Sequence, residues 1–141
     1  MGNGYSMMWY ERYIGWPYKF GGRDSSGVDC LTLMILIAKE RFNIDAAPQG
    51  ELKEDWAKLD RDRYWKETLH YGALIPKIDH TRDGDLVLFR FKGYASHAGF
   101  MVDNNKFIHI LDNDIVRVDY LRKHPWKNRF WGGIRIDKRI C

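Results

Sequence analysis

The sequence predicts an α+β domain, with helical segments first and an antiparallel meander of strands after them. Three observations carry that prediction. Residues Cys30–Phe42 place Leu31, Met34, Ile35 and Ala38 at helical spacing, and the opposite side is apolar too, the pattern of a buried helix. From Asp85 onward the pattern changes to short apolar runs separated by Asp, Asn and Gly turns. No repeat, linker or compositional break interrupts the 141 residues, about one domain's worth, so a single domain over residues 1–141 is expected.

In chain order, residues 1–20 are aromatic-rich and irregular, with residues 9–13 reading as a short helix. Gly21-Gly22-Arg23-Asp24-Ser25-Ser26-Gly27 is a loop by its glycines and turn-favouring Asp and Ser. Asp29 or Ser26 can cap the buried helix, and Lys39 and Arg41 near its end suit the helix dipole. Residues 48–50 read as a turn. Residues 51–71 read as one broken helix or two short ones, which Pro76 stops from continuing. Asp83-Gly84 leads into the strand Asp85–Phe91, and residues 97–102 and 106–111 flank Asp103-Asn104-Asn105, a hairpin signal. Asp112-Asn113-Asp114 turns the chain into residues 115–120, where Val116, Val118 and Tyr120 alternate, and residues 130–136 make the last strand.

Composition excludes several classes. Hydrophobic residues at 45% and charged residues at 30% exclude disorder. The 7 Phe, 6 Trp and 8 Tyr suit a core or aromatic-lined grooves. The nearly apolar run 31–38 is far too short for a membrane span. The N-terminus lacks a basic stretch followed by an apolar one, so no signal peptide is expected and the chain is expected to be made in the cytoplasm. The net charge of +4 is uneven: from Arg117 onward eight Lys/Arg stand against Asp119 and Asp137. Such an end fits an anionic partner or an ordinary solvated surface, and the second reading is preferred; no nucleic acid is expected. Two cysteines, one of them the final Cys141, make no disulfide framework. Without C-x-x-C or H-E-x-x-H spacing, no metal and no cofactor are expected.

Cys30 needs its own explanation. It begins the buried helix directly after the Gly-rich loop, where the positive end of the dipole and unpaired N–H groups lower a thiol's pKa and favour the nucleophilic thiolate. His97 begins one strand and His109 lies in the next. A histidine can activate such a thiol and later protonate a leaving amine, while a further polar group fixes the ring. Spacing alone leaves a blander account open, a buried cysteine with two surface imidazoles. His70, His80 and His124 have no motif context.

Strand parity sharpens the test. A two-residue Asn104-Asn105 loop pairs 103 with 106 and sends the two histidines to opposite faces. A three-residue loop pairs 102 with 106 and makes His97 the diagonal neighbour of His109 on one face. An odd-length loop or a bulge is therefore expected.

Five local words occur in order: Pro17-Tyr18-Lys19-Phe20-Gly21-Gly22, Gly27-Val28-Asp29-Cys30, Gly84-Asp85-Leu86-Val87, Ser96-His97-Ala98-Gly99-Phe100 and Phe107-Ile108-His109. Together, over about residues 14–111, they resemble the NlpC/P60 family of cell-wall cysteine peptidases, which reads roughly P-Y-x-x-G-G, D-C-S-G, G-D-L-V, H-x-G-I and F-I-H. The resemblance implies a papain-like arrangement, a nucleophile helix packed on an antiparallel sheet that bears the histidines. It implies Cys30 as nucleophile, His97 as general base and acid, and His109 as the orienting third member. It also implies Tyr18 as support for the oxyanion or substrate, and Asp29 as a holder of the substrate's peptide stem.

One departure matters: the family's Ser-Gly after the cysteine is Leu31-Thr32 here, which loosens any transfer of substrate specificity. A hydroxyl at Thr32 sits about 100° further around the helix axis and is not counted as its substitute.

The implied activity is hydrolysis of amide bonds in peptidoglycan stem peptides, of the γ-D-glutamyl–diamino-acid kind. A wall hydrolase without an export signal needs another route, and a phage tail-associated peptidase carried in the virion, with phage tail proteins as partners, supplies one; an injected effector is a second. The alternatives are a non-catalytic tail-tip structural or wall-binding module of the same fold, and an acyltransferase or amidase relative.

Overall fold

The computed structural model describes residues 8–45, 72–91 and 93–136. A 3₁₀ turn at Glu11–Tyr13 precedes a two-stranded ribbon, β1 (Arg23–Asp24) and β2 (Gly27–Val28), and then the helix α1 (Cys30–Phe42). The later half supplies β3 (Ala73–Ile75), a 3₁₀ turn at Ile78–His80, β4 (Asp85–Phe91), β5 (Tyr94–Met101), β6 (Lys106–His109), β7 (Arg117–Tyr120), the one-turn helix α2 (Trp126–Arg129) and β8 (Phe130–Arg135). Six strands form one antiparallel sheet in the order β3-β8-β4-β5-β6-β7. The architecture is the α+β arrangement that the sequence predicts.

α1 and β4 have the expected bounds. β3 was not expected: it has three residues, two of them exposed, and exists because β8 pairs with it. β5 starts at Tyr94, earlier than expected, because a bulge after Phe89 lets β4 and β5 keep pairing to Phe91 and Tyr94. The turn expected at 48–50 and the helix expected in 51–71 lie outside the described residues.

The sheet is covered on both faces, and strand alternation decides which side chain goes where. One face carries Leu86, Leu88, Ala98, Phe100, Ile108 and Ile110 against the buried side chains Leu33, Met34 and Ile37 of α1. The other carries Val87, Phe89, Met101 and Phe107, closed by Leu121 and by Trp126 of α2. Two covered faces explain why Leu86–Phe89 is apolar without a break. Gly99 is required by this packing: a Cβ there would stand 2.6 Å from the Phe107 ring, which crosses over it.

Charges close the sheet. Asp85, fully buried at the start of β4, receives Arg135 of β8 through both carboxylate oxygens at 2.9 Å and the N–H of Arg82 at 3.0 Å. Other basic groups of the C-terminal end are also engaged within the chain: Arg117 with Asp114 at 2.7 Å, Arg122 with Asp79 at 3.6 Å, and Arg129 over the Phe91 ring at 4.4 Å. Among the described residues no helix is long and apolar enough to cross a membrane.

Two stability effects are expected from urea denaturation. Asp85→Ala removes the buried carboxylate that Arg135 and the Arg82 N–H both bond and costs about 3–5 kcal/mol, whereas Asp114→Ala at the exposed pair costs under about 1 kcal/mol. Gly99→Ala forces Phe107 aside and costs about 1–3 kcal/mol. Equal, small effects at all three sites would contradict this account of the sheet.

Candidate functional site

A knot of backbone hydrogen bonds places the start of α1. Asp29 is its N-cap: Oδ1 accepts the Thr32 N–H at 2.8 Å, and Thr32 Oγ1 accepts the Asp29 N–H at 2.9 Å, a reciprocal capping box. The other oxygen, Oδ2, accepts the Gly21 N–H at 2.8 Å and ties the Gly-rich loop to the helix. That loop closes tightly on itself, since a Cβ on Gly22 would lie 2.1 Å from the Gly27 carbonyl oxygen. Of the two caps the sequence offers, Ser26 serves elsewhere, bonding Asp24. Both oxygens of Asp29 thus hold this chain's own backbone, and the Thr32 hydroxyl is committed to the cap.

Cys30 follows directly. Part of its surface is open, and the backbone N–H groups of Ala98 and Leu31 face its sulfur. The thiolate expected from the helix dipole is nevertheless opposed. Burial pushes the thiol up to about 12, the adjacent Asp29 charge adds to the rise, and the two N–H groups offset only part of it. The resting residue is a neutral thiol. The N–H of Cys30 itself, among the first-turn donors that a helix leaves unpaired, makes no hydrogen bond among the described residues.

Tyr18 lies beside this turn. Its backbone is held by the Asp114 carbonyl at 3.1 Å and by a bridge to Val28, and its half-buried ring packs on the cluster that also takes Cys30.

The histidines come from the sheet. β5 and β6 pair Phe100 with Ile108 and Met101 with Phe107, and the Val102 N–H reaches the Lys106 carbonyl at 2.9 Å. The loop is therefore Asp103-Asn104-Asn105, three residues, the odd length expected if the two histidines are to share a face. His97 and His109 share a face, and His97 Nε2 meets His109 Nδ1 at 2.8 Å. Phe89, Phe91 and Trp126 surround His97, with Trp126 also 4.7 Å from the His109 ring centre. Burial lowers His97 well below its ordinary 6.5, and His109 lowers it further. Burial also lowers His109, against the opposing pull of Asp119. Both rings are neutral at neutral pH.

The structure brings His97 and His109 into contact and sets the Cys30 sulfur against the N–H of Ala98, the next residue along β5 from His97. Among the described residues the thiol and the His97 ring share no hydrogen bond, and His97 Nδ1 makes none at all. Catalytic hydrogen bonds in unliganded sites are often loose in this way.

Asp119 escaped the sequence reading: its Oδ2 lies 2.7 Å from His109 Nε2. The signal existed, because β6 and β7 pair 107 with 119 and 109 with 117, so Asp119 is the same-face diagonal neighbour of His109. Among the described residues no group of three or more His, Cys, Asp or Glu is arranged to hold a metal ion.

Comparison with known proteins agrees with this geometry. The profile of the NlpC/P60 family matches residues 15–135. The chain is 26% identical over 132 residues to the murein DD-endopeptidase MepS/murein LD-carboxypeptidase of Escherichia coli K12, covering 92% of this chain and 62% of that protein. It is 30% identical over 128 residues to the probable endopeptidase NlpC of the same strain, covering 89% and 73%. With the gamma-DL-glutamyl hydrolase of Bacillus subtilis it shares 29% over 130 residues, 90% of this chain and 28% of that one. The chain thus spans less than two thirds of the first of these relatives.

Among solved structures, the NlpC/p60 domain of the peptidoglycan hydrolase SagA superposes with a TM-score of 0.62 at 19% identity, covering 87% of this chain and 89% of that one. An NlpC/P60 family protein from Bacillus cereus gives 0.63 at 20%, covering 89% and 37%. These two share its fold. Matched over most of its length, with the five sequence words at the helix start and sheet positions described above, the chain belongs to the NlpC/P60 family.

Proposed function

We propose that this protein is a cysteine peptidase that hydrolyses amide bonds of peptidoglycan stem peptides, of the γ-D-glutamyl–diamino-acid type. One observation carries the reading: the thiol of a half-buried cysteine at a capped helix start lies against the backbone beside a histidine whose ring is held by a second histidine. Family membership and the relatives' names support the substrate class. A non-catalytic wall-binding module has no use for a thiol placed beside a buried, oriented imidazole. The proposal extends to setting, a phage tail whose proteins carry the domain to the wall; finding the chain by mass spectrometry in purified virions would support it, and its absence from them would remove it.

The chemistry follows from two neutral partners. His97 Nδ1 takes the proton of Cys30 Sγ as the sulfur attacks the scissile carbonyl carbon, so charge separates only during attack. In this scheme the N–H of Cys30, unpaired among the described residues at the positive end of α1, stabilises the oxyanion. His97 then passes the proton to the amine as the C–N bond breaks, which leaves a thioester on Cys30. Water, deprotonated by His97, attacks the thioester, and the proton returns to sulfur. In this scheme His109 orients the His97 ring, while Tyr18 flanks the substrate. Asp29 acts through the helix cap, and any contact it makes with a stem peptide comes in addition to that task.

A digest of purified wall peptides, read by product mass, tests the reading. Cys30→Ala and His97→Ala are expected to lose at least about 1,000-fold in rate, and His109→Ala to keep residual activity. Full activity in Cys30→Ala would refute the proposal. A pH profile separates a neutral pair from a preformed ion pair. The base form of His97 persists to below pH 6.5, so kcat/KM should fall only on the acid side of that value and hold steady through pH 9. A bell with an alkaline limb near pH 8 would show an ion pair instead.

A further inference from the structure

We propose that Asp119 is a positioning residue that sets the direction of every proton in the row leading to the nucleophile; the inference rests on the peptidase reading above. The observations are geometric. Asp119 Oδ2 lies 2.7 Å from His109 Nε2, and His109 Nδ1 lies 2.8 Å from His97 Nε2. Each contact is short enough to be a hydrogen bond, and each must have one donor and one acceptor.

A carboxylate only accepts. His109 Nε2 must therefore carry a hydrogen and donate it to Asp119. A neutral imidazole has one N–H, so His109 Nδ1 is left as an acceptor. His97 Nε2 must then be the donor across the 2.8 Å contact, and the lone pair of His97 falls on Nδ1. That nitrogen is the one without a hydrogen-bond partner among the described residues. A carboxylate two residues removed from the base thus decides which nitrogen of His97 can take the thiol proton. The opposite order would leave His97 with a hydrogen on Nδ1 and no base toward sulfur.

The groups around the row favour the neutral chain. His109 faces His97 on β5, Asp119 and Arg117 on β7, and Asp114 in the turn before β7. Arg117 and burial oppose a charge on His109, while Asp119 and Asp114 favour one, and the balance lies on the neutral side. His97 faces His109 and the rings of Phe89, Phe91 and Trp126, which add no charge. Asp119 is reached from solvent, with its side chain 31% exposed, so its replacement leaves no buried hole.

The test is the ¹⁵N spectrum of histidine-labelled protein at neutral pH. The wild type is expected to show His109 and His97 both protonated on Nε2 and bare on Nδ1. Asp119→Ala is expected to give mixed tautomers at His109, with kcat lowered about 10- to 100-fold and KM changed by less than about twofold. A wild-type His109 protonated on Nδ1, or on both nitrogens, overturns the inference without any variant. So does Asp119→Ala with unchanged tautomers and kcat. Since the spectrum needs no substrate, failure of the protein to cleave wall peptides would sink the peptidase reading and leave the proton order to be judged separately.

Discussion

The three-residue loop between β5 and β6 is the constraint on which the site depends. It fixes a register in which 102 faces 106, and with it the common face of His97 and His109. A slip of one residue would send His109 to the α1 side of the sheet and leave His97 without its neighbour. Asp103 makes the loop specific, since one of its carboxylate oxygens accepts the N–H groups of Asn105 at 2.7 Å and Lys106 at 2.6 Å. Gly99 supports the same register from inside the strand by letting the Phe107 ring cross it.

Two independent anchors meet at β5. The nucleophile is held by helix capping and by the Gly-rich loop, both tied to Asp29. The histidines are held by sheet register and by the aromatic cluster around Trp126. β5 serves both, because its alternate residues point to opposite faces: Ala98 and Phe100 toward α1, His97 toward Trp126. The thiol therefore meets the strand at the N–H of Ala98, the residue next to the one that carries the imidazole. Burial on both sides keeps thiol and imidazole neutral at rest, which defers charge separation to the moment of attack.

Much of this was legible because punctuation marks it. Asp29 before an apolar helix and Asp83-Gly84 before an apolar strand gave α1 and β4 their bounds, and strand parity called for an odd loop once the two histidines were required to share a face. Other features resisted for physical reasons. The dipole at Cys30 can be read locally, but the burial that outweighs it is tertiary. Thr32, read only as a displaced hydroxyl, proved to be the partner in the cap. Asp119 needed two registers chained across three strands, and in sequence it is one acidic residue in a basic stretch. β3 is too short to show alternation and depends on β8 for its existence.

The central claim is that Cys30 carries the reacting sulfur with His97 as its base. A stem-peptide analogue bearing a chloromethyl ketone at the scissile carbonyl tests it most directly, with the labelled residue located by peptide mass. The account predicts one label per chain, on Cys30, with Cys141 unmodified and labelling strongly slowed in His97→Ala. Equal labelling of the two cysteines, or labelling of Cys30 that is indifferent to His97, would contradict it.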